Sequence, residues 1–259
     1  MSSTTRIFTV ICNYNAGMHL QNCLESISKN AMPDVRVSIF DNASIDGNIN
    51  AIGKFQISGL MGITVRINEV NVGKAVALNS LVSELECHLH DDDLIFSLDS
   101  DISLVSEDFF QRAIDIWKII GDKVSCMVCR QSGNSLFRRE IFYQDSPIGN
   151  FGYFAPKEGY GAGIAGGAMF IPYRHWKTVG GYDITKGADG KAALYGGHDG
   201  NLMLNLYRKT NLPVCVIREL EVFHPPEENM DYQKWKDSIH DEHRKFGRMV
   251  STEEFFKHG

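Results

Sequence analysis

The 259-residue chain reads as an α/β protein whose mostly parallel central sheet is flanked by helices on both faces. Three observations predict this. Apolar runs of strand length alternate with stretches whose apolar residues recur at helical spacing. Polar and acidic residues cluster where those apolar runs end, and no repeat, heptad pattern or low-complexity linker interrupts the alternation.

The elements follow in order. "RIFTVIC" reads as the first strand, and behind the polar loop at Asn13 to Asn15 the residues Leu20, Cys23, Leu24 and Ile27 line one helix face. A strand "VRVSIF" leads to the turn "DNASIDGN", a short helical stretch and a further strand near "GITVRI". Leu78, Leu81, Val82 and Leu85 predict the next helix, and "LIFSL" the fourth strand. Phe110, Ala113, Ile114 and Trp117 make another amphipathic helix, for which Ser106 is the expected N-cap with Glu107 and Asp108 at the positive end. "KVSCMVC" returns to strand. From Ile141 to Gly167 the sequence turns aromatic and glycine-rich, which reads as loops lining a site.

Composition narrows the function. With 43% hydrophobic residues the chain can bury a full core, and a net charge of -6 gives no general attraction to nucleic acid or to an anionic membrane. A small-molecule partner is expected. Cys12, Cys23, Cys87, Cys126, Cys129 and Cys215 are scattered, and no basic and apolar leader precedes "RIFTVICNY", so the expected location is cytoplasmic with the thiols reduced. The CxxC pair in "SCMVCR" sits in an apolar run without a second pair, and reads as two small core residues. No apolar run approaches the ~20 residues needed to span a bilayer, so any membrane contact would be peripheral.

In "DLIFSLDSDISL" an apolar strand ends in two carboxylates. Asp99 and Asp101 project to the same side if the extended conformation continues through Ser100, and two like charges that close need a cation. In open α/β sheets, ligands bind at the carboxyl ends of strands, where Asn13 to Asn15, Asp41 and Asp99 to Asp101 all fall. The Rossmann fingerprint is absent from "CNYNAGMH", and "NEVNVGKA" lacks the first glycine and the Ser or Thr of a P-loop. A metal and a nucleotide held together at the Asp99-Ser100-Asp101 turn is the remaining arrangement.

Here the chain resembles the family 2 glycosyltransferases of the GT-A fold, which move a sugar from a nucleotide diphosphate to an acceptor hydroxyl. "VICNYNAGMHLQNCLESI" is similar to the family's opening strand, Tyr-Asn loop and helix, and "VSIFDNASIDGN" to its second strand and nucleotide turn. "NEVNVGKAVALNS" resembles its Asn-x-Gly segment and "LIFSLDSD" its Asp-x-Asp motif. "AGGAMFIPYRHWKTVGGYD" and "YGGHDGNLMLNLYRK" resemble its acceptor-side signature, so the likeness runs over residues 6 to 224.

The resemblance implies roles. Residues 1–259 form one domain, with a nucleotide-sugar half at 1–130, an acceptor and catalytic half at 131–229 and a C-terminal helical segment at 230–259. The donor is a UDP-sugar carrying a hexosyl or N-acetylhexosaminyl group, transferred with inversion. Asp101 holds Mn2+ or Mg2+, while Asp99 contacts the donor's ribose or the metal through water. His224, in "LEVFHPPEEN", is either a late metal ligand, which would favour manganese, or a structural histidine. Asp41 accepts from the base's ring N–H or closes an Asx turn. Tyr14 stacks on the base or belongs to the core, and Lys74 approaches base or phosphates or lies solvated. Asp199 is the base for the acceptor hydroxyl, or else an ordinary helix cap. His198 replaces the family's glutamate and either binds acceptor or shares proton transfer. Gly196 and Gly197 let the backbone approach the donor sugar or merely turn.

Trp176, Tyr153, Phe154 and Tyr160 offer aromatic faces for an acceptor carbohydrate, and "DITKGADGKAAL" reads as a lid. The terminal "DYQKWKDSIHDEHRKFGRMV", with Tyr232, Trp235 and Ile239, reads as an amphipathic helix. Two rival readings stand beside transfer. A nucleotidyltransferase acting on a sugar phosphate would need a glycine-rich basic loop after the first strand, which "CNYNAGMH" does not offer, and His198 prompts a non-catalytic carbohydrate- or nucleotide-binding relic. Nucleic acid is disfavoured on charge, although a modified base carrying a hydroxyl is an acceptor in principle.

Overall fold

The computed structural model describes residues 5–47, 52, 62–133, 144–146, 149–156, 166–186, 192, 194, 198–226 and 248–250. Along the chain run β1 (Ile7–Asn13), α1 (Met18–Lys29), β2 (Val35–Asn42), β3 (Ile63–Asn68), α2 (Lys74–Leu85), β4 (Leu94–Asp99), β5 (Ser103–Leu104) and α3 (Phe109–Ile120). The second half continues with β6 (Cys126–Gly133), β7 (Gln144–Ser146), β8 (Gly149–Phe154), β9 (Ala168–Pro172), α4 (Tyr173–Val179), β10 (Ile184–Lys186), α5 (His198–Thr210), β11 (Val214–His224) and β12 (Arg248–Val250).

One sheet joins both halves in the order β3-β2-β1-β4-β9-β6-β11-β8-β7, with β5 on β11. Strands β1, β2, β3, β4, β6, β7 and β11 point one way, while β5, β8 and β9 oppose them. The mostly parallel reading holds. Strand β9 runs antiparallel between β4 and β6 and so carries the second half into the sheet of the first.

The uninterrupted apolar run of β4 follows from helices on both faces. Leu94, Phe96 and Leu98 pack with residues of α1 and α3, whereas Ile95 joins residues of α2, α4 and α5. Phe96 stacks on Phe170 with ring centroids 4.0 Å apart and meets Phe110 edge-on. Phe96→Ala is therefore expected to cost about 3–5 kcal/mol of stability through lost burial and the cavity left behind. A lower urea midpoint at unchanged m-value would show it.

Both cysteines of "SCMVCR" are core residues, as expected. Burial raises the Cys126 thiol to about 12 and Cys129 well above its ordinary value, so neither is a ready thiolate.

Three local expectations are corrected, the first being the loop reading of Ile141 to Gly167, where Gln144–Ser146 and Gly149–Phe154 pair as β7 and β8. Ser106 does not cap α3: its hydroxyl donates to the Glu219 carbonyl (2.7 Å) and accepts the Glu221 N–H (2.8 Å), fastening the loop to β11. The helix start is capped from outside, where Asn30 Oδ1 at the end of α1 accepts the Phe109 N–H at 3.0 Å. Residues 248–250 of the expected terminal helix form strand β12 instead, because their backbone pairs with Ile184–Lys186 of β10. Tyr232, Trp235, Ile239 and most of that segment lie outside the described residues, as do 187–191 and 193 of the expected lid.

Candidate active site

The carboxyl ends of β1 and β2 are tied together by short polar side chains. Asn13 Nδ2 donates to Asp41 Oδ1 (2.6 Å), and the Ser44 N–H donates to Asp41 Oδ2 (3.1 Å), closing an Asx-type turn. Asp41 is fully buried and organises this turn. Ser44 Oγ in turn accepts the Asn15 N–H, and Asn15 Oδ1 accepts the Ile45 N–H. Asn15 (φ 50°) and Ala43 (φ 65°) hold the left-handed backbone that such crossed loops require. Tyr14 is half-buried on the same loop.

The end of β2 positions Lys74. Asn42 Oδ1 accepts the Val72 N–H, Asn42 Nδ2 donates to Asn71 Oδ1, and Asn71 Oδ1 also accepts the Gly73 N–H. Gly73, at φ 82°, then opens α2 with Lys74 as its first residue.

The extended conformation does not continue through Ser100, although Asp101 stays close enough to raise the Asp99 pKa. Extended structure stops at Asp99, whose carbonyl accepts the Ile102 N–H (3.1 Å) across a turn, so period-two alternation no longer governs Asp101. Asp99 meets Lys74, with Nζ at 2.6 Å from Oδ1, while Asp101 meets His224.

Lys74 is shared. Its ammonium also lies 2.9 Å from Asp199 Oδ1 and 3.0 Å from Oδ2, and Asp199 further accepts from the Tyr182 hydroxyl at 3.2 Å. Burial opposes charge on Lys74, but the Asp199 and Asp99 carboxylates outweigh it and hold its pKa well above the ordinary 10.5. Burial likewise raises the Asp99 pKa, against the ammonium and with help from Asp199 and Asp101. The raised Lys74 value carries a sign: its stabilisation is complete below the unfolded pKa near 10.5 and lost as pH rises through the folded one. Lys74→Met is expected to remove that alkaline decline, read by urea unfolding from pH 7 to 11.

Small residues make room for the two carboxylates. A Cβ on Gly166 would sit 2.2 Å from Asp199 Cβ, and one on Gly167 would sit 2.7 Å from Asp99 Oδ2. The chain entering β9 thus passes between them only as glycine.

Strand β11 assembles the second carboxylate site. It bulges between Ile217 and Glu221, and beyond the bulge Phe223 pairs with Ser103 of β5, bringing His224 to Asp101. His224 Nε2 lies 3.5 Å from Asp101 Oδ2. Its Nδ1 lies 2.8 Å from the Pro225 carbonyl, which can only accept, so in the neutral ring Nδ1 carries the proton and Nε2 turns its lone pair to Asp101. Asp101 Oδ1 is buried and has no hydrogen-bond partner among the described residues. A carboxylate with one oxygen orphaned and the other beside an imidazole lone pair fits a divalent cation, with Asp101 and His224 as ligands. Among the described residues no group of three His, Cys, Asp or Glu side chains forms a cage, and a cation held by two protein ligands would have room for diphosphate and water oxygens.

His198 is 4% exposed in the first turn of α5, turned into the protein, while its neighbour Asp199 faces Lys74. Trp176 is a core residue whose ring meets Tyr182 edge-on at 5.6 Å, and Tyr153 is exposed on β8. Gly196, Gly197 and Tyr160 lie outside the described residues. Sequence reasoning did not single out Asn42, Asn71, Asn79, Ser97 or Tyr182. The asparagines at the strand ends in "FDNAS" and "NEVNVGK" were the available signal; Ser97 and Tyr182 left none, each lying within an apolar or turn segment.

An open α/β sheet with Asp99 and Asp101 at its carboxyl edge, joined there by Asp199 at a helix start, is an arrangement of the GT-A fold. The family model described as "Glycosyl transferase family 2" matches residues 9–174, more than half of the chain. The chain belongs to this family. A search of curated proteins finds no match. Among solved structures, the chain is similar to a mannosyltransferase of Pyrobaculum calidifontis in complex with GDP-Man and Mn2+ (TM-score 0.64, 14% identity, covering 96% of this chain and 67% of that one). It is also similar to S. aureus TarS in complex with UDP-GlcNAc (TM-score 0.63, 13% identity, covering 87% of this chain and 59% of that one). The chain thus spans about three fifths of the TarS structure. Among the described residues no helix is long and apolar enough to cross a membrane.

Proposed function

We propose that this glycosyltransferase moves a hexosyl or N-acetylhexosaminyl group from a UDP-sugar to an acceptor hydroxyl, with inversion and with a divalent metal, manganese before magnesium. The observation that carries this reading is the pairing of Asp101, with its orphaned Oδ1, and His224 at the same sheet edge as Asp199. When bound, the cation would supply charge neutralisation for the departing diphosphate.

The chain's own groups do the rest. Asp199 takes the proton of the acceptor hydroxyl while that oxygen bonds to the anomeric carbon, and the bond to the diphosphate breaks with its electron pair leaving on the diphosphate oxygen. Lys74 holds Asp199 in place, and Asp99, bound to the same ammonium, is the carboxylate assigned to the donor. Asp41 and the asparagine loops form the base-binding floor, with Tyr14 at its rim and Gly196 and Gly197 beside the donor sugar. His198, buried in the first turn of α5, is assigned to acceptor binding or to sharing the proton transfer. The six cysteines are all unpaired thiols, which supports a reducing, cytoplasmic setting.

The test is a thermal-shift panel of UDP, GDP, CDP and dTDP, each with and without Mn2+. Ligand at ~100 times its dissociation constant stabilises by about 2.7 kcal/mol. A manganese-dependent shift with UDP supports the reading; a shift with GDP alone would move the donor class, and none with any nucleotide would favour a non-catalytic relic.

A further inference from the structure

We infer that Tyr182 is a positioning residue for the proposed base: its hydroxyl occupies Asp199 Oδ1, so that Oδ2 is the oxygen that receives the acceptor's proton. The inference rests on the assignment of Asp199 under the proposed function. It starts from a cost. Tyr182 is fully buried, among the largest such side chains, and its ring already packs edge-on against Trp176. Phenylalanine would fill that space, whereas a buried hydroxyl is unfavourable unless it is hydrogen-bonded.

Two of this hydroxyl's partners lie among the described residues. It donates to Asp199 Oδ1 at 3.2 Å, and Ser97 Oγ lies 2.9 Å away. A phenol has one proton, so with that proton on the carboxylate the serine must donate to the phenol oxygen, giving a directional chain Ser97 to Tyr182 to Asp199. Ser97 lies on β4 two residues before Asp99, which places the start of this chain on the sheet face that carries Asp99.

Tyr182 is held on both sides. Asn79 of α2 accepts its N–H (2.9 Å) and donates to its carbonyl (2.8 Å), an approach that only a glycine at 181 permits, since a Cβ there would lie 2.6 Å from Asn79 Oδ1. The next residue, Asp183, accepts from Asn201 and Asn205 of α5 at 2.7 and 2.8 Å. Helix α2 therefore presents Lys74 to Asp199 and Asn79 to Tyr182, while α5 supplies Asp199 and grips the residue after Tyr182. The carboxylate orientation is set by a closed frame.

The consequence is an asymmetry between the two oxygens of Asp199. Oδ1 accepts from both Lys74 and Tyr182, whereas Oδ2 accepts only from Lys74 among the described residues. Oδ2 has the capacity left to take a proton, and the Tyr182 bond fixes the carboxylate plane that aims it.

Tyr182→Phe tests this on the donor, among UDP-glucose, UDP-galactose, UDP-GlcNAc and GDP-mannose with Mn2+, that the unaltered protein turns over fastest with water as acceptor. The expected result is a fall in kcat of roughly 10- to 100-fold, the rate equivalent of one hydrogen bond to a charged group, with donor KM and melting temperature unchanged. In an Asp199→Asn background the same change should cost nothing further, which a merely structural role would not produce. Ser97→Ala, which leaves the tyrosine in place, should lower kcat a few-fold and serves if Tyr182→Phe does not fold. Normal kcat in Tyr182→Phe, or in Ser97→Ala should the first not fold, overturns the inference while Asp199→Asn remains inactive. Normal turnover in Asp199→Asn, or no turnover by the unaltered protein on any donor, overturns the base assignment and this inference with it.

Discussion

Asp199→Asn is expected to lower transfer by roughly 10²- to 10⁴-fold, the usual contribution of a positioned general base. Asparagine matches the carboxylate in shape and, with its amide oxygen at the Oδ1 position, can still accept from Lys74 and Tyr182, so the frame around position 199 should survive. What it loses is the capacity to take a proton. The manganese-dependent thermal shift with UDP should therefore persist in this variant while sugar transfer or donor hydrolysis is lost. Retained turnover would remove Asp199 from the base role, and a lost UDP shift would mean that it holds the donor instead.

Asp101→Ala is expected to abolish the manganese-dependent part of UDP binding. The substitution removes the carboxylate that faces His224 at 3.5 Å and with it the buried, unpartnered Oδ1. Melting curves with UDP alone and with UDP plus manganese should then coincide, against a separation of about 2.7 kcal/mol at 100-fold saturation in the unaltered protein. Asp99→Asn provides the contrast, because Asp99 Oδ1 already has the Lys74 ammonium at 2.6 Å as its cation. It should keep the manganese response and lose turnover through Lys74. The opposite pattern would exchange the two aspartates' roles.

The strands and helices of the first half were legible because their signals are local. Strand β4 shows as a continuous apolar run since both its faces are covered, and α1 shows as Leu20, Cys23, Leu24 and Ile27 at helical spacing. The start of α3 was misread for the complementary reason: its cap comes from Asn30, 79 positions away in sequence, while the nearby Ser106 is engaged by β11. No local pattern encodes such a partner. Residues 248–250 were misread likewise, since a short strand is made by the partner it pairs with.

By itself the sequence determined the α/β class, the acidic turn at the end of the fourth apolar run, the family, and which residue types stand ready for chemistry. These follow from periodicity and from motifs that lie within single segments. Only the tertiary structure decided how those residues are shared out. It brought His224 to Asp101, because β5 pairs with the end of β11, and it set Lys74 between Asp99 and Asp199, because α2 starts where Asn42 and Asn71 fasten the preceding loop. It also brought Tyr182 to Asp199 and placed Asp41 wholly inside its turn. Each of these contacts joins residues from different elements, and their distances depend on sheet order and register, which no single segment carries.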